Sequence, residues 1–237
     1  MLEAHALTDT GKVRSANQDC FRIIPEIGLF LLADGMGGAR GGERASRLTV
    51  DAVADVMSRT PQRDAATLLA AVEEANRRVH AESTADPRLE GMGTTLVAAL
   101  ETGENDLAIA SVGDSRAYLL HEGKLKVVTQ DQTWVQEVGR PLGLDEETLR
   151  RHPMRHVLTM AVGVGTNVRV RYYAVQLAAG DTLLICSDGL HGVVPEPLVE
   201  QTLNSPEGLE EKCRTLVDAA NTAGGPDNIT VLLIRAA

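Results

Sequence analysis

With 237 residues, 43% of them hydrophobic and 24% charged, the chain has the make-up of an ordinary globular protein and the length to bury the core of one large domain. Its formal net charge of −10 excludes nucleic acid as a partner, because binding a phosphate backbone draws on Lys and Arg; an acidic excess suits carboxylates that hold cations. Three scattered cysteines, Cys20, Cys186 and Cys213, are too few for a disulfide framework or a zinc cluster. No apolar run approaches the ~20 residues that span a bilayer, and the opening MLEAHALTDTGK lacks the basic-then-apolar pattern of a secretory signal. A cytoplasmic monomer with no membrane partner is expected.

In chain order, short apolar runs predict strands at 2–7, 20–24 and 29–33. Two amphipathic helices follow. Ala45, Leu48, Ala52, Val53 and Val56 share one face after Glu43, and Leu68, Leu69, Val72, Ala75 and Val79 share another behind Asp64 as cap. Further strands are expected at 94–100, 107–112, 116–121, 168–177 and 182–186. Towards the end, Ser205 as cap and Pro206 at the first helical position predict a helix facing Leu209, Cys213, Leu216, Val217 and Ala220 inward, stopped by Gly224 and Gly225. A last strand follows at 229–234.

Strands in runs and helices in pairs do not fit a doubly wound parallel sheet. They predict an α+β fold, helices covering largely antiparallel sheets, as one domain over 1–237. The segment 129–165, charged, irregular and holding Trp134, reads as an inserted helical flap.

The stretch LLADGMGGARGG, 31–42, sets five glycines behind an aspartate that ends an apolar run. It fails the dinucleotide fingerprint, because Arg40 stands where the third glycine belongs, and it fails the P-loop, because Glu43 and Arg44 replace Lys and Ser/Thr. Three more aspartates border apolar strands: Asp114 in SVGDSR, Asp188 in LLICSDGL and Asp227 in GGPDNITVLLI. Taken singly, each reads as a turn or a cap. Together with Asp34 they form a candidate binuclear site: carboxylates at one sheet edge repel unless cations lie between them, and hard divalent cations take such ligands and suit phosphoryl displacement.

Seven segments in order resemble the metal-dependent PPM, or PP2C-like, serine/threonine protein phosphatases of the small bacterial type. They are TDTGKVRSANQD (8–19), ADGMGGARGGERAS (33–46), GMGTTLVA (91–98), VGDSRAYLL (112–120), HPMRHVLTMAVG (152–163), CSDGL (186–190) and GGPDNITV (224–231). The resemblance implies a four-layer αββα sandwich with a metal centre at one end, holding two Mn²⁺ or Mg²⁺ ions and, in bacterial members, a third. It implies that Asp34 bridges two ions, with the Gly35 carbonyl on one of them, and that Asp188 and Asp227 complete the first ion's protein ligands. Asp114 would serve the third ion, and Asp19 would order water around the centre. Arg14 matches the position that holds the substrate phosphate, for which a guanidinium can supply two hydrogen bonds at once.

The implied reaction is hydrolysis of phosphoserine and phosphothreonine in proteins, a Ser/Thr kinase and its targets among them, by attack of a water bridging the two ions. The alternative is a non-catalytic phosphatase-like module that binds phosphoproteins; such modules usually lose the metal aspartates that remain here. Two positions depart from the pattern. Gln18 stands where many members have Glu, and Met36 stands where animal relatives place a histidine proposed as the general acid. Methionine donates no proton, which leaves water, His156 of the flap or His191 for that role. Asn228 is expected to support the site by hydrogen bonding, Thr94 and Thr95 to pack beside it, Trp134 to anchor the flap and Cys186 to fill core.

Overall fold

The computed structural model describes residues 2–236. The elements run β1 (Leu2–Asp9), β2 (Asp19–Ile24), β3 (Leu29–Met36), α1 (Gly38–Arg59), α2 (Ala65–Ala85), β4 (Gly93–Thr94), β5 (Leu96–Gly103), β6 (Asp106–Val112), β7 (Arg116–His121) and β8 (Lys124–Val127). They continue with α3 (Glu146–Arg151), β9 (Arg171–Gln176), β10 (Thr182–Cys186), α4 (Asp188–His191), α5 (Glu196–Leu203), α6 (Leu209–Thr222) and β11 (Ile229–Ala236).

The strands form two antiparallel sheets, in the orders β1-β11-β10-β7-β8 and β2-β3-β5-β6-β9, with the short β4 paired to β3. Side-chain alternation divides each central strand between two layers. On β3, Leu29, Leu31 and Ala33 pack under α1 and α2, whereas Phe30 and Leu32 enter the layer between the sheets. On β10, Leu184 and Cys186 face the α5 and α6 side while Leu183 and Ile185 meet the opposite sheet. Burial on both faces explains why these strands read as unbroken apolar runs. The result is the expected αββα sandwich. No helix among the described residues is long and apolar enough to cross a membrane.

Four local expectations need correction. Helix α1 begins at Gly38, ahead of Glu43, because its glycines serve packing rather than helix propensity: a Cβ on Gly42 would stand 2.8 Å from the Gly35 carbonyl carbon. Helix α6 starts at Leu209 with Gly208 as N-cap; Ser205 instead donates its hydroxyl to the Thr202 carbonyl at 2.7 Å, closing α5. Strand β9 covers only Arg171–Gln176, and β8 was hidden because it is a four-residue edge strand, KLKV, half lysine and largely exposed. Within 129–165, helix is confined to α3 and one π-helical turn, Val135–Gly139. Trp134 does anchor this segment, stacking on His152 with ring centroids 4.0 Å apart.

Candidate metal centre

The site begins with the parity of β3. Phe30 and Leu32 point between the sheets, so Asp34 leaves the same face at the strand's end, where the apolar layer stops. A Cβ on Gly35 would fall 2.1 Å from the Gly42 carbonyl oxygen and 2.7 Å from that of Gln18. Only glycine lets helix α1 and the 10–18 loop close on the backbone beside Asp34. Directly across the ladder, Asp19 of β2 is the register partner of Asp34. Like charges so placed destabilise a sheet unless something offsets them.

Asp19 is held from the other sheet. Its Oδ2 accepts from Thr230 Oγ1 at 2.6 Å and from Ser187 Oγ at 2.8 Å. Thr230 has one hydroxyl proton, which it gives to Asp19, so Thr8 donates to Thr230 at 2.7 Å and accepts from Asn17 Nδ2 at 2.8 Å. This chain stitches β1, β2 and β11 beneath the acids.

Asp188 opens α4 one residue after β10, and Asp227 lies just before β11. The two turns are pressed together: a Cβ on Gly189 would lie 1.9 Å from the Asn228 carbonyl oxygen. Asn228, buried, clamps the 10–18 loop, donating Nδ2 to the carbonyls of Thr10 (2.9 Å) and Ala16 (3.0 Å) and accepting from the Gln18 amide at 2.8 Å. Asp114 sits in the β6–β7 turn. Its carbonyl accepts from His191 Nε2 at 3.0 Å, and the Gly113 amide beside it donates to Gln132 Oε1 at 2.9 Å.

The electrostatics show a centre with too much negative charge for the protein alone. Burial, then repulsion from Asp188 and Asp131, pushes Asp114 up to about 7. Burial pushes Asp19 up to about 6 against its hydroxyl donors. Asp34 rises well above the usual carboxylate range through burial and the fields of Asp19, Asp188, Asp114 and Asp227. Asp188 rises through burial and Asp227. Asp19 Oδ1 and Asp188 Oδ1 are buried without a hydrogen-bond partner.

Unpartnered buried carboxylate oxygens in an all-oxygen, acidic setting fit hard divalent cations such as Mn²⁺ or Mg²⁺. Among the described residues, however, no three His, Cys, Asp or Glu side chains meet tightly enough to chelate one ion by themselves. One reason is local: Arg14 Nη2 occupies Asp227 Oδ2 at 2.7 Å. A second is general, since Mg²⁺-type ions keep several waters beside one or two carboxylates.

A family model described as Protein phosphatase 2C matches residues 11–233. The chain belongs to the protein phosphatase 2C family. The serine/threonine phosphatase stp of Listeria monocytogenes serotype 4b is 38% identical over 242 residues, covering 99% of this chain and 96% of that one. The structure of the S. agalactiae serine/threonine phosphatase matches with a TM-score of 0.94 at 32% identity over 100% of both chains. The catalytic domain of the serine/threonine protein phosphatase PstP, in complex with two manganese ions, matches with a TM-score of 0.87 at 37% identity, covering 99% of this chain and 97% of that one.

Within this protein phosphatase 2C chain the structure brings Asp19, Asp34, Asp114, Asp188, Asp227 and Arg14 to one end of the sandwich. Arg14 feels the fields of Asp188 and Asp34 as well as its partner Asp227. Gln18 donates Nε2 to the Gly38 carbonyl at 2.6 Å, a bond that a carboxylate could not make. Thr94 and Thr95 do pack beside the site, Thr94 Oγ1 donating to the Asp34 carbonyl at 2.7 Å and Thr95 Oγ1 accepting from the Asp34 amide at 3.0 Å.

His191 is removed from the proton-donor role. Burial pushes it down to about 4, so it is neutral, and its one N–H is spent on the Asp114 carbonyl. His156 is exposed on the flap, and its charge favours ionised Asp188. Sequence reasoning missed the hydroxyls of Ser187, Thr230 and Thr8. The signal for Thr8 and Thr230 was a polar residue at an inward position of a strand face otherwise apolar, and Ser187 directly follows the apolar β10.

Proposed function

We propose that this chain is a protein serine/threonine phosphatase dependent on Mn²⁺ or Mg²⁺, with 1–237 working as one monomeric catalytic domain. The reading is carried by the convergence of Asp34, Asp188 and Asp227 on one sandwich edge, with unpartnered oxygens on Asp188 and Asp19 and the Arg14 guanidinium alongside. When bound, two such cations supply the positive charge that polarises a phosphate monoester and acidifies water for in-line displacement.

In this reading Asp34 would hold both ions and the Gly35 carbonyl one of them, Asp188 and Asp227 would complete the protein ligands of the first, and Asp114 with Asp188 would hold a third. Asp19, fixed by Ser187 and Thr230, orients water at the floor of the centre. Arg14, half exposed, gives up a solvent-screened ion pair of small worth and turns its fork to two phosphate oxygens. Met36 has no proton for the departing serine or threonine oxygen, so that proton comes from solvent or from His156. The substrates are phosphorylated proteins of the cytoplasm, a Ser/Thr kinase and its targets among them.

The test is phosphate release from a phosphothreonine peptide. Release should require Mn²⁺ and stop in excess chelator, and Asp34→Asn should lower it by about a hundredfold or more. Undiminished turnover in chelator or in that variant refutes the reading. Faster turnover of phosphorylated metabolites than of the peptide points to a small-molecule substrate instead.

A further inference from the structure

We infer that a cavity between β3 and the flap is a subsite for an apolar side chain of the substrate, one or two residues from the phosphorylated one. The inference rests on the phosphatase reading above. The cavity has a volume of about 210 Å³ and is lined by Met36, Leu158, Met160 and Val164 together with the uncharged polar Thr159 and Asn167, with no charged side chain among the described residues of its lining. That volume lies below the roughly 300–1,000 Å³ of pockets for small-molecule ligands and suits a single aliphatic side chain.

Its position ties it to substrate. Met36 lies two residues beyond Asp34 on β3, so both side chains leave the same face. The strand rises about 3.3 Å per residue, which places the cavity wall about 7 Å along from Asp34, the reach of two residues of an extended peptide. A peptide with its phosphate at the acid centre therefore carries a neighbouring side chain over Met36. The strand wall and the flap wall converge over Gly93, the register partner of Met36, where an added Cβ would lie 2.7 Å from Val164 Cγ2 and 3.1 Å from Met36 Cε.

The wall is held in place by buried polar groups. Asn76 of α2, 1% exposed, donates Nδ2 to the carbonyls of Gly165 (3.0 Å) and Thr166 (3.3 Å) and accepts from the Gly163 amide at 2.7 Å. Thr94 and Val162 exchange two backbone hydrogen bonds, at 3.1 and 2.9 Å. A preformed wall spares the ordering cost of closing around a side chain. Charge decides the occupant. An acidic side chain would be desolvated without a partner and would face the neighbouring aspartates, and a basic one would find no anion in the lining.

Phosphothreonine peptides carrying Leu, Gly or Asp at each position within two residues of the phosphothreonine test this with Mn²⁺ present. At one position Leu should raise kcat/KM about tenfold over Gly, chiefly through KM, and further over Asp. Val164→Asp and Met160→Lys should each bring that Leu:Gly ratio close to one. The ratio is taken within one preparation, so partial loss of folded protein cancels. Equal kcat/KM for Leu and Gly at every position overturns the subsite alone, as does a preference that persists unchanged in both variants. No phosphate release from any peptide overturns the phosphatase reading and the subsite with it.

Discussion

Chelated protein should lose stability as pH rises through neutrality, and the loss should trace to the acid centre. Unfolded, its aspartates titrate near 4; folded, Asp114 titrates at about 7 and Asp19 at about 6. Between those limits the folded state binds more protons than the unfolded one, so raising the pH favours unfolding. From pH 5 to 8 Asp114 contributes about two pH units of that imbalance and Asp19 about one. At 1.36 kcal/mol for each unit, these two groups account for a loss of about 4 kcal/mol, to which the raised Asp34 and Asp188 add in the same direction. A chain of this length shifts its Tm by about 2–4 °C per kcal/mol, which gives a fall of about 10 °C.

Thermal unfolding followed by circular dichroism in chelator, at pH 5, 6, 7 and 8, measures it. Excess Mn²⁺ should raise and flatten the curve, because an ion that binds only the folded state stabilises it. Asp34→Asn in chelator should also flatten it, because it removes a carboxylate whose own titration is raised in the folded state. Asp51→Asn, at an exposed aspartate paired with Arg22, should leave the slope as it is. A chelated Tm that is flat or rising over this range, or the same slope in Asp34→Asn as in wild type, refutes the reasoning.

Arg14→Ala should raise KM for a phosphothreonine peptide about tenfold or more, and Arg14→Lys should restore only part of that, since an ammonium lacks the two-pronged fork; steady-state kinetics checks both. Asn228→Ala strands the Gln18 amide and the Thr10 and Ala16 carbonyls, so urea denaturation should show a loss of about 2–4 kcal/mol. The same variant should need about tenfold more Mn²⁺ for half-maximal activity. Gln18→Glu removes the donor to the Gly38 carbonyl and should cost about 1 kcal/mol in the same denaturation assay.

Much of the centre was legible because its acids interrupt apolar runs. Asp34, Asp114, Asp188 and Asp227 each adjoin a strand buried on two faces, where a carboxylate is conspicuous. The apolar runs predicted only helices covering antiparallel sheets; the four-layer order came from the family resemblance. What escaped was set by partners distant in sequence. Asn76 sits within an ordinary helical face, and nothing local announces that its amide reaches the 163–166 backbone. Gly41 and Gly42 argue against helix by propensity, yet tertiary contact with Met92 and with the Gly35 backbone makes them the residues that fit. The Arg14–Asp227 pair joins positions 213 residues apart, beyond any window of pattern.

The pairing of β1 with β11 fixes where the chain's ends emerge. Asp9 lies opposite Ile229 beside the acid centre, and Leu2 lies opposite Ala236 at the far end of the same ladder. At about 3.3 Å per residue that ladder puts roughly 23 Å between the two. A tag, a tether or a whole domain spliced on at either end would therefore hang from the sandwich's opposite pole, and the mouth of the site would stay open to large protein substrates.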